Sequence, residues 1–270
     1  MKIGASLLLN FQGNESILDF FRIANKKELD VIEIVAEPPF CYIDDLRQDD
    51  RKKIKKLAKD QNQIITIHAT FSDINIASIN DNVRNFAVNE IKKCLDLALE
   101  LEAKIVTFHP GDFGAVGVSY PLQASEMNFS SVSQLEKYAR SLDIKIGYEN
   151  MPQLMKNQLI DSFDIIKIKE IVQQFNSCFL GITWDVGHSH TKEFSLKESF
   201  SAFKEKLLHI HIHDNDGPMN SWSDTHLELG KGTIDWKEFF KLTKNIDVTS
   251  VFELNSWEKI DNSLEYINSL

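Results

Sequence analysis

The chain has 270 residues, 43% apolar and 26% charged, with a formal charge of −10 at neutral pH. That is the composition of an ordinary globular protein, and no apolar run approaches the ~18 residues that a membrane span requires. The negative balance speaks against a generic polyanion binder, and the length suits one (β/α)8 barrel domain over residues 1–270.

Read in chain order, the opening segment Met1–Asn10 has an apolar core too short for a signal peptide. It reads as a first strand over 2–9, followed by a helix over 15–28, a strand over 30–35 and a helix over 45–60. A strand over 63–68 leads to a helix over 80–101, with Asn80 or Asp81 as its cap. That helix carries a 3.6-period stripe of Phe86, Ala87, Ile91, Cys94, Leu95, Ala98 and Leu101. The cycle continues with strand 104–109, helix 129–142, strand 144–149, helix 162–175, strand 180–185 and helix 195–205. It closes with strand 207–213, helix 235–244, strand 248–253 and helix 257–268. Strict alternation of this kind predicts an α/β fold, a single closed (β/α)8 TIM barrel. No glycine-rich phosphate loop follows the first strand, which removes the main support for a nucleotide-binding α/β sheet. Cys41, Cys94 and Cys178 form no CxxC pair, so a cytoplasmic setting without disulfides is expected.

Six of these strands end in a residue that can bind a metal: His68, His109, Glu149, Asp185, His211 and Glu253. Barrel enzymes place their chemistry at the carboxyl ends of the strands. Side chains alternate along a strand, so the preceding residues should face the helices and be apolar. Ile67, Phe108, Tyr148, Trp184, Ile210 and Phe252 all are. Glu149, Asp185, His211 and Glu253, on the last four strands, form the core of a divalent-metal site. Imidazole and carboxylate together favour zinc or manganese. His68, His109, His188, Asp224 and His226 form an outer set. Nine candidates exceed what one ion needs. Either two or three ions bind, or some of the nine support the ligands or touch substrate.

Each of these residues also has an ordinary reading. A single strand-end histidine is commonly a hydrogen-bonded structural group, and a buried carboxylate commonly pairs with Lys or Arg. His209 shares a face with His211 and His213, sits deeper, and is expected to be structural, with His213 and Asp214 supporting the ligands. The segment Gly230–Thr233 reads either as a turn into the next helix or as a phosphate cradle that would enlist Lys231. Phe71, Phe113, Trp222 and Trp257 could cover a substrate, although packing is the default for aromatic rings. The substrate contacts expected are His188, Phe71, Trp222 and Lys231.

The segments His68–Ser78, Tyr148–Pro152, Trp184–His188 and Asp224–Gly230 resemble the xylose isomerase-like barrel superfamily. That superfamily contains sugar and sugar-phosphate isomerases and epimerases and also endonuclease IV. The resemblance implies two site plans. In ketose epimerases one divalent ion rests on residues matching Glu149, Asp185, His211 and Glu253, and the two glutamates move the proton. In endonuclease IV three zinc ions rest on residues matching all nine candidates.

The rim differs from the nuclease plan, because binding a DNA backbone takes several Lys or Arg contacts. Residues 36–45, 69–82 and 110–128 contain none, and 150–160, 186–194 and 214–234 offer only Lys156, Lys192 and Lys231. The leading expectation is therefore a metal-dependent isomerase or epimerase of a small sugar or sugar phosphate, with Glu149 and Glu253 catalytic. The alternative is a trinuclear-zinc phosphodiesterase acting on abasic DNA. A catalytically silent barrel is a third reading, and composition leaves self-association into a homo-oligomer open.

Overall fold

The computed structural model describes residues 1–8, 16–152, 160–192, 194–218 and 224–270. Its eight strands are β1 (Lys2–Ser6), β2 (Val31–Val35), β3 (Ile64–His68), β4 (Ile105–Phe108), β5 (Lys145–Glu149), β6 (Leu180–Asp185), β7 (Leu207–Ile212) and β8 (Thr249–Phe252). All pair in parallel in sequence order, and β8 returns to β1 with Gly4 opposite Val251, so the barrel is closed. The helices among the described residues are α1 (Ile17–Lys26), α2 (Gln48–Asp60), α3 (Asp81–Leu101), α4 (Gly114–Gly117), α5 (Pro121–Ser141) and α6 (Ile160–Phe163). They continue with α7 (Ile165–Gln174), α8 (Val186–Thr191), α9 (Leu196–Phe203), α10 (Trp236–Thr243) and α11 (Trp257–Asn268). None of them is long and apolar enough to cross a membrane.

Local chemistry sets several boundaries. Asn80 caps α3 by accepting from Asn82 N at 3.0 Å. Ser195 and Glu198 form a capping box at α9. The expected helix 162–175 divides into α6 and α7 because Asp164 is extended and caps α7 through Ile166 N and Lys167 N. The expected helix 129–142 instead begins at Pro121, which supplies the first turn. Its opening residues carry no apolar stripe, and Leu122 is 80% exposed, so periodicity could not reveal them. On α3, Phe86 lies outside the buried face, whereas Val88 and Leu97 join it. Strand β1 stops at Ser6, three residues short of the expected end.

The residues preceding the strand ends are fully buried between barrel and helices, as their apolar character required. Trp184 lies 6.2 Å from Phe200 of α9 and 5.6 Å from Phe239 of α10, measured between ring centres. Burial of each such side chain is worth about 1.5–3 kcal/mol. The barrel interior is polar where many barrels carry branched apolar layers. Thr107 and Thr183 share a hydrogen bond of 2.8 Å, His209 Nδ1 meets Thr249 Oγ1 at 2.7 Å, and Thr66 donates to Glu33 at 3.3 Å. Buried polar groups persist only when they are partnered in this way. This layer is the floor on which the strand-end residues stand.

Candidate metal centre

The strand alternation that sends Tyr148 and Trp184 outward sends Glu149 and Asp185 into the mouth of the barrel. Asp185 is also the N-cap of α8, accepting from His188 N at 2.6 Å. The short helix was not legible as a helix, and it is what carries His188 back over the barrel. His188 Nδ1 then lies 2.8 Å from Asn150 O, which fixes the ring and directs Nε2 to Asp224 Oδ2 at 3.4 Å. His226 takes a left-handed backbone conformation with φ 45, and its Nδ1 meets Glu253 O at 2.7 Å.

Glu149 is the hub. One carboxylate oxygen lies 3.3 Å from His68 Nε2 and 3.2 Å from His109 Nε2. The other lies 3.1 Å from His211 Nδ1. Glu253 approaches the same His211 nitrogen at 3.2 Å, and Asp185 at 3.9 Å. All nine candidate ligands converge in overlapping groups of donors, the atoms of each group within 4.8 Å of one another; His68, His211 and Glu253 form one such group, and three others take in all nine. Of those three, one is His68, His109 and Glu149, the second is Glu149, Asp185, His211 and Glu253, and the third is His188, Asp224 and His226 joined by His213. Asp185 Oδ2 and Asp224 Oδ1 are buried without a hydrogen bond. Buried carboxylate oxygens surrounded by imidazole nitrogens are a donor set that fits a divalent cation.

The metal-free electrostatics follow from burial and charge together. Burial raises the Glu149 carboxyl, but His211 and His109 outweigh it and hold the group well below its ordinary value. Glu253 moves the other way, because burial and the nearby Glu149 and Asp185 charges prevail over His211. Burial opposes the charge on His188 and His211 as well, yet surrounding carboxylates lift both well above the usual histidine range. His68 and His226 rise to about 8 and about 9 for the same reason. Burial carries His109 downward.

Glu33 on β2 belongs to this constellation, and the sequence reading missed it. Fully buried, it faces His211 Nε2 at 3.4 Å and His209 Nε2 at 3.2 Å, so it backs the candidate ligand His211 from below. The available signal was a carboxylate inside the apolar run Val31–Val35 at the parity of inward residues. The structural role expected for His209 matches its contacts with Glu33 and Thr249.

Above the candidate ligands lies a cavity of about 320 Å³ with walls of Leu8, Val35, Phe71, Met151 and Pro152. Phe71, His109, Met151 and Pro152 also border a neighbouring cavity of about 180 Å³. Phe71 stands edge-on to His68, with ring centres 5.2 Å apart. No described residue lining either cavity is Lys or Arg. Lys231 is 68% exposed near Glu228 and lies outside this lining. The Gly230–Thr233 segment is a turn, with the N–H groups of Gly230 and Ile234 already donated to Asp214. Trp257 packs on Phe20 and Phe113 on the small buried pair Ala77 and Ala124. Trp222 lies outside the described residues.

Comparison with known proteins places this geometry among relatives. An uncharacterised protein of Methanocaldococcus jannaschii is 32% identical over 258 residues, covering 95% of this chain and 84% of its own. A solved D-tagatose 3-epimerase-like protein superposes with a TM-score of 0.87 at 30% identity, covering 100% of this chain and 96% of its own. A probable endonuclease 4 of Aquifex aeolicus is 25% identical over 250 residues, 85% of this chain and 83% of its own. The relatives are thus named for both sugar epimerases and endonucleases. The family profile described as xylose isomerase-like TIM barrel matches residues 21–270, everything from the middle of α1 onward, and the chain belongs to that family.

Proposed function

We propose that the protein is a divalent-metal-dependent isomerase or epimerase of a sugar or sugar phosphate, working as one catalytic barrel over residues 1–270. The observation that carries this reading is the pair Glu149 and Glu253. Both are buried, and both approach His211 Nδ1, at 3.1 and 3.2 Å, beneath a cavity with apolar walls. The likeness to an epimerase-like protein at 30% identity supports it.

A zinc or manganese ion held by Glu149, Asp185, His211 and Glu253 would supply Lewis acidity toward a substrate carbonyl and its neighbouring hydroxyl. The protein's own groups do the rest. Glu149, kept ionised by the imidazoles around it, removes the proton from the carbon beside the carbonyl. Glu253, whose carboxyl is pushed toward the protonated form, returns one to the other face of that carbon. Removal on one face and return on the other inverts the centre. Phe71, Leu8 and Met151 exclude water while this happens, and His188 and Phe71 border the space that the sugar would occupy.

The test is a panel of ketoses and their phosphates in heavy water with zinc- or manganese-loaded protein. Deuterium entering the carbon beside the carbonyl, with formation of the epimer, is the expected result. A second reading has an observation of its own, the convergence of all nine candidates in overlapping donor groups. It is a three-zinc phosphodiesterase acting on abasic DNA. Chelator-sensitive incision of an abasic duplex, with no exchange on any sugar, would replace the first reading by the second.

A further inference from the structure

We infer that Glu37 is a positioning residue: from the loop after β2 it fixes the Phe71 ring, and through that ring it sets His109 and one wall of the candidate site. The consequence for the site rests on the metal-dependent reading; the placement of the rings does not.

The chain after β2 builds the anchor. Ala36 N donates to His68 O at 2.9 Å, so the pairing of β2 with β3 runs on past Val35. The N–H groups of Phe40 and Cys41 donate to Glu37 O at 2.8 and 3.0 Å and close a turn on residue 37. With its backbone held, the Glu37 side chain crosses to the loop after β3. A single oxygen, Oε2, accepts from Phe71 N at 2.9 Å and from Ser72 N at 3.2 Å. Beside them Thr70 Oγ1 donates to Ala36 O at 2.6 Å. These bonds tie residues 70–72 to residues 36–37.

Glu37 is only 6% exposed, and residues 36–45 and 69–82 contain no Lys or Arg. A buried carboxyl is costly unless it is hydrogen-bonded. Here its partners are two consecutive backbone N–H groups, an arrangement that cradles an anion. The side chain serves the neighbouring loop and not a cation.

What the anchor holds is Phe71. Its ring centre lies 5.2 Å from that of His68, edge-on at 81°, and 5.2 Å from that of His109, tilted at 35°. The two histidine rings stand at 90° with centres 4.8 Å apart, so the three rings brace one another. His68 has a further support, its Nδ1 lying 2.9 Å from Ala69 O. His109 is 23% exposed and reaches Glu149 through Nε2 at 3.2 Å, and Phe71 packs against its ring. Phe71 also borders both cavities, of about 320 and about 180 Å³. Its position therefore sets the bearing of His109 and the sideways extent of the space above the candidate ligands.

The substitutions follow from the single accepting oxygen. Glu37→Leu removes the acceptor at similar volume. Glu37→Gln keeps one oxygen, and one oxygen takes both N–H groups. The whole metal-free chain is labelled at histidine and phenylalanine for NMR. Nuclear Overhauser contacts from the Phe71 ring to the His68 and His109 rings are expected in the parent. Glu37→Leu should weaken the contact to His109 and shift the His109 ring signals. Phe71→Leu should shift the same signals, and Glu37→Gln should stay near the parent. His190, bonded through Nε2 to Thr233 Oγ1, is the internal control. A folded Glu37→Leu whose His109 signals match the parent overturns the inference. So does a parent chain without the Phe71–His109 contact, a measurement that stands if Glu37→Leu does not fold. Neither outcome touches the proposed function, which deuterium exchange on the ketose panel tests separately.

A second measurement separates positioning from a merely structural tie. Zinc affinity is read by competition with a chromophoric chelator. Glu37→Leu and Phe71→Leu should each weaken it roughly tenfold, the low end for loss of a supporting partner. Glu37→Gln should restore it, and the double variant should bind no more weakly than the worse single one. A structural tie would lower the melting temperature of Glu37→Leu and leave zinc affinity unchanged. That result, or losses that add in the double variant, would show that Glu37 does not act through Phe71.

Discussion

Replacing Glu33 by Gln probes how far the barrel interior controls the metal centre. Glu33 touches no candidate substrate space. Its carboxylate faces His211 Nε2 at 3.4 Å and His209 Nε2 at 3.2 Å, and it accepts from Thr66 Oγ1 at 3.3 Å. An acceptor behind Nε2 keeps the proton on that nitrogen and leaves the lone pair of Nδ1 directed to the point where Glu149 and Glu253 meet. Gln has nearly the same shape but half the acceptors and none of the charge, so His211 loses part of its basicity and its fixed tautomer. Loss of a partner of this kind lowers metal affinity about 10–100-fold. The 3.4 Å contact is at the long end of hydrogen bonding, which selects the lower end, roughly tenfold or about 1.4 kcal/mol. Zinc affinity is read by competition with a chromophoric chelator, with circular dichroism to confirm the fold and Glu33→Asp to restore the charge. A folded Glu33→Gln that binds zinc within twofold of the parent would refute this account of the interior layer.

Glu149→Gln should reduce turnover on the true substrate by about 100–10,000-fold while leaving the fold intact, and near-normal turnover would remove Glu149 from the mechanism. Thiol labelling of the native protein should modify Cys178, which is exposed. Cys41 and Cys94 should react only on unfolding, because burial pushes their thiols up to about 12 and about 11, and rapid labelling of all three would contradict their placement. The chelated protein should lose thermal stability as pH rises from about 6.5 to about 9. His68 and His226 titrate at about 8 and about 9 in the folded metal-free site against 6.5 unfolded, so their stabilisation is complete below 6.5 and disappears as pH passes the folded values. Metal competes with those protons, so the gap in melting temperature between loaded and chelated protein should widen over the same range. A flat or rising melting temperature of the chelated protein would oppose this assignment.

The barrel and the ring of strand-end candidate ligands are readable from the sequence because both depend on local rules. Period-two alternation sends Glu149 inward and Tyr148 outward whatever the rest of the chain does. The apolar face of α3 was visible as a 3.6-period stripe, displaced only at Phe86. What escaped were features whose cause is distant in sequence. The first turns of α5 present little apolar surface to the barrel, so no periodicity marks them. Helix α8 exists because Asp185, read only as a ligand, also caps it. Glu33 acquires meaning from His209 and His211, more than 170 residues away, which barrel closure brings beneath the mouth. His213, expected to support the ligands, faces Asp185 at 3.1 Å, a contact that depends on where α8 and the end of β7 meet. Sequence alone determined which residues could face the mouth of the barrel, since alternation along a strand is a property of the backbone. Only the tertiary structure decided which of them share a donor group, since that depends on barrel closure and on where the loop after β7 returns.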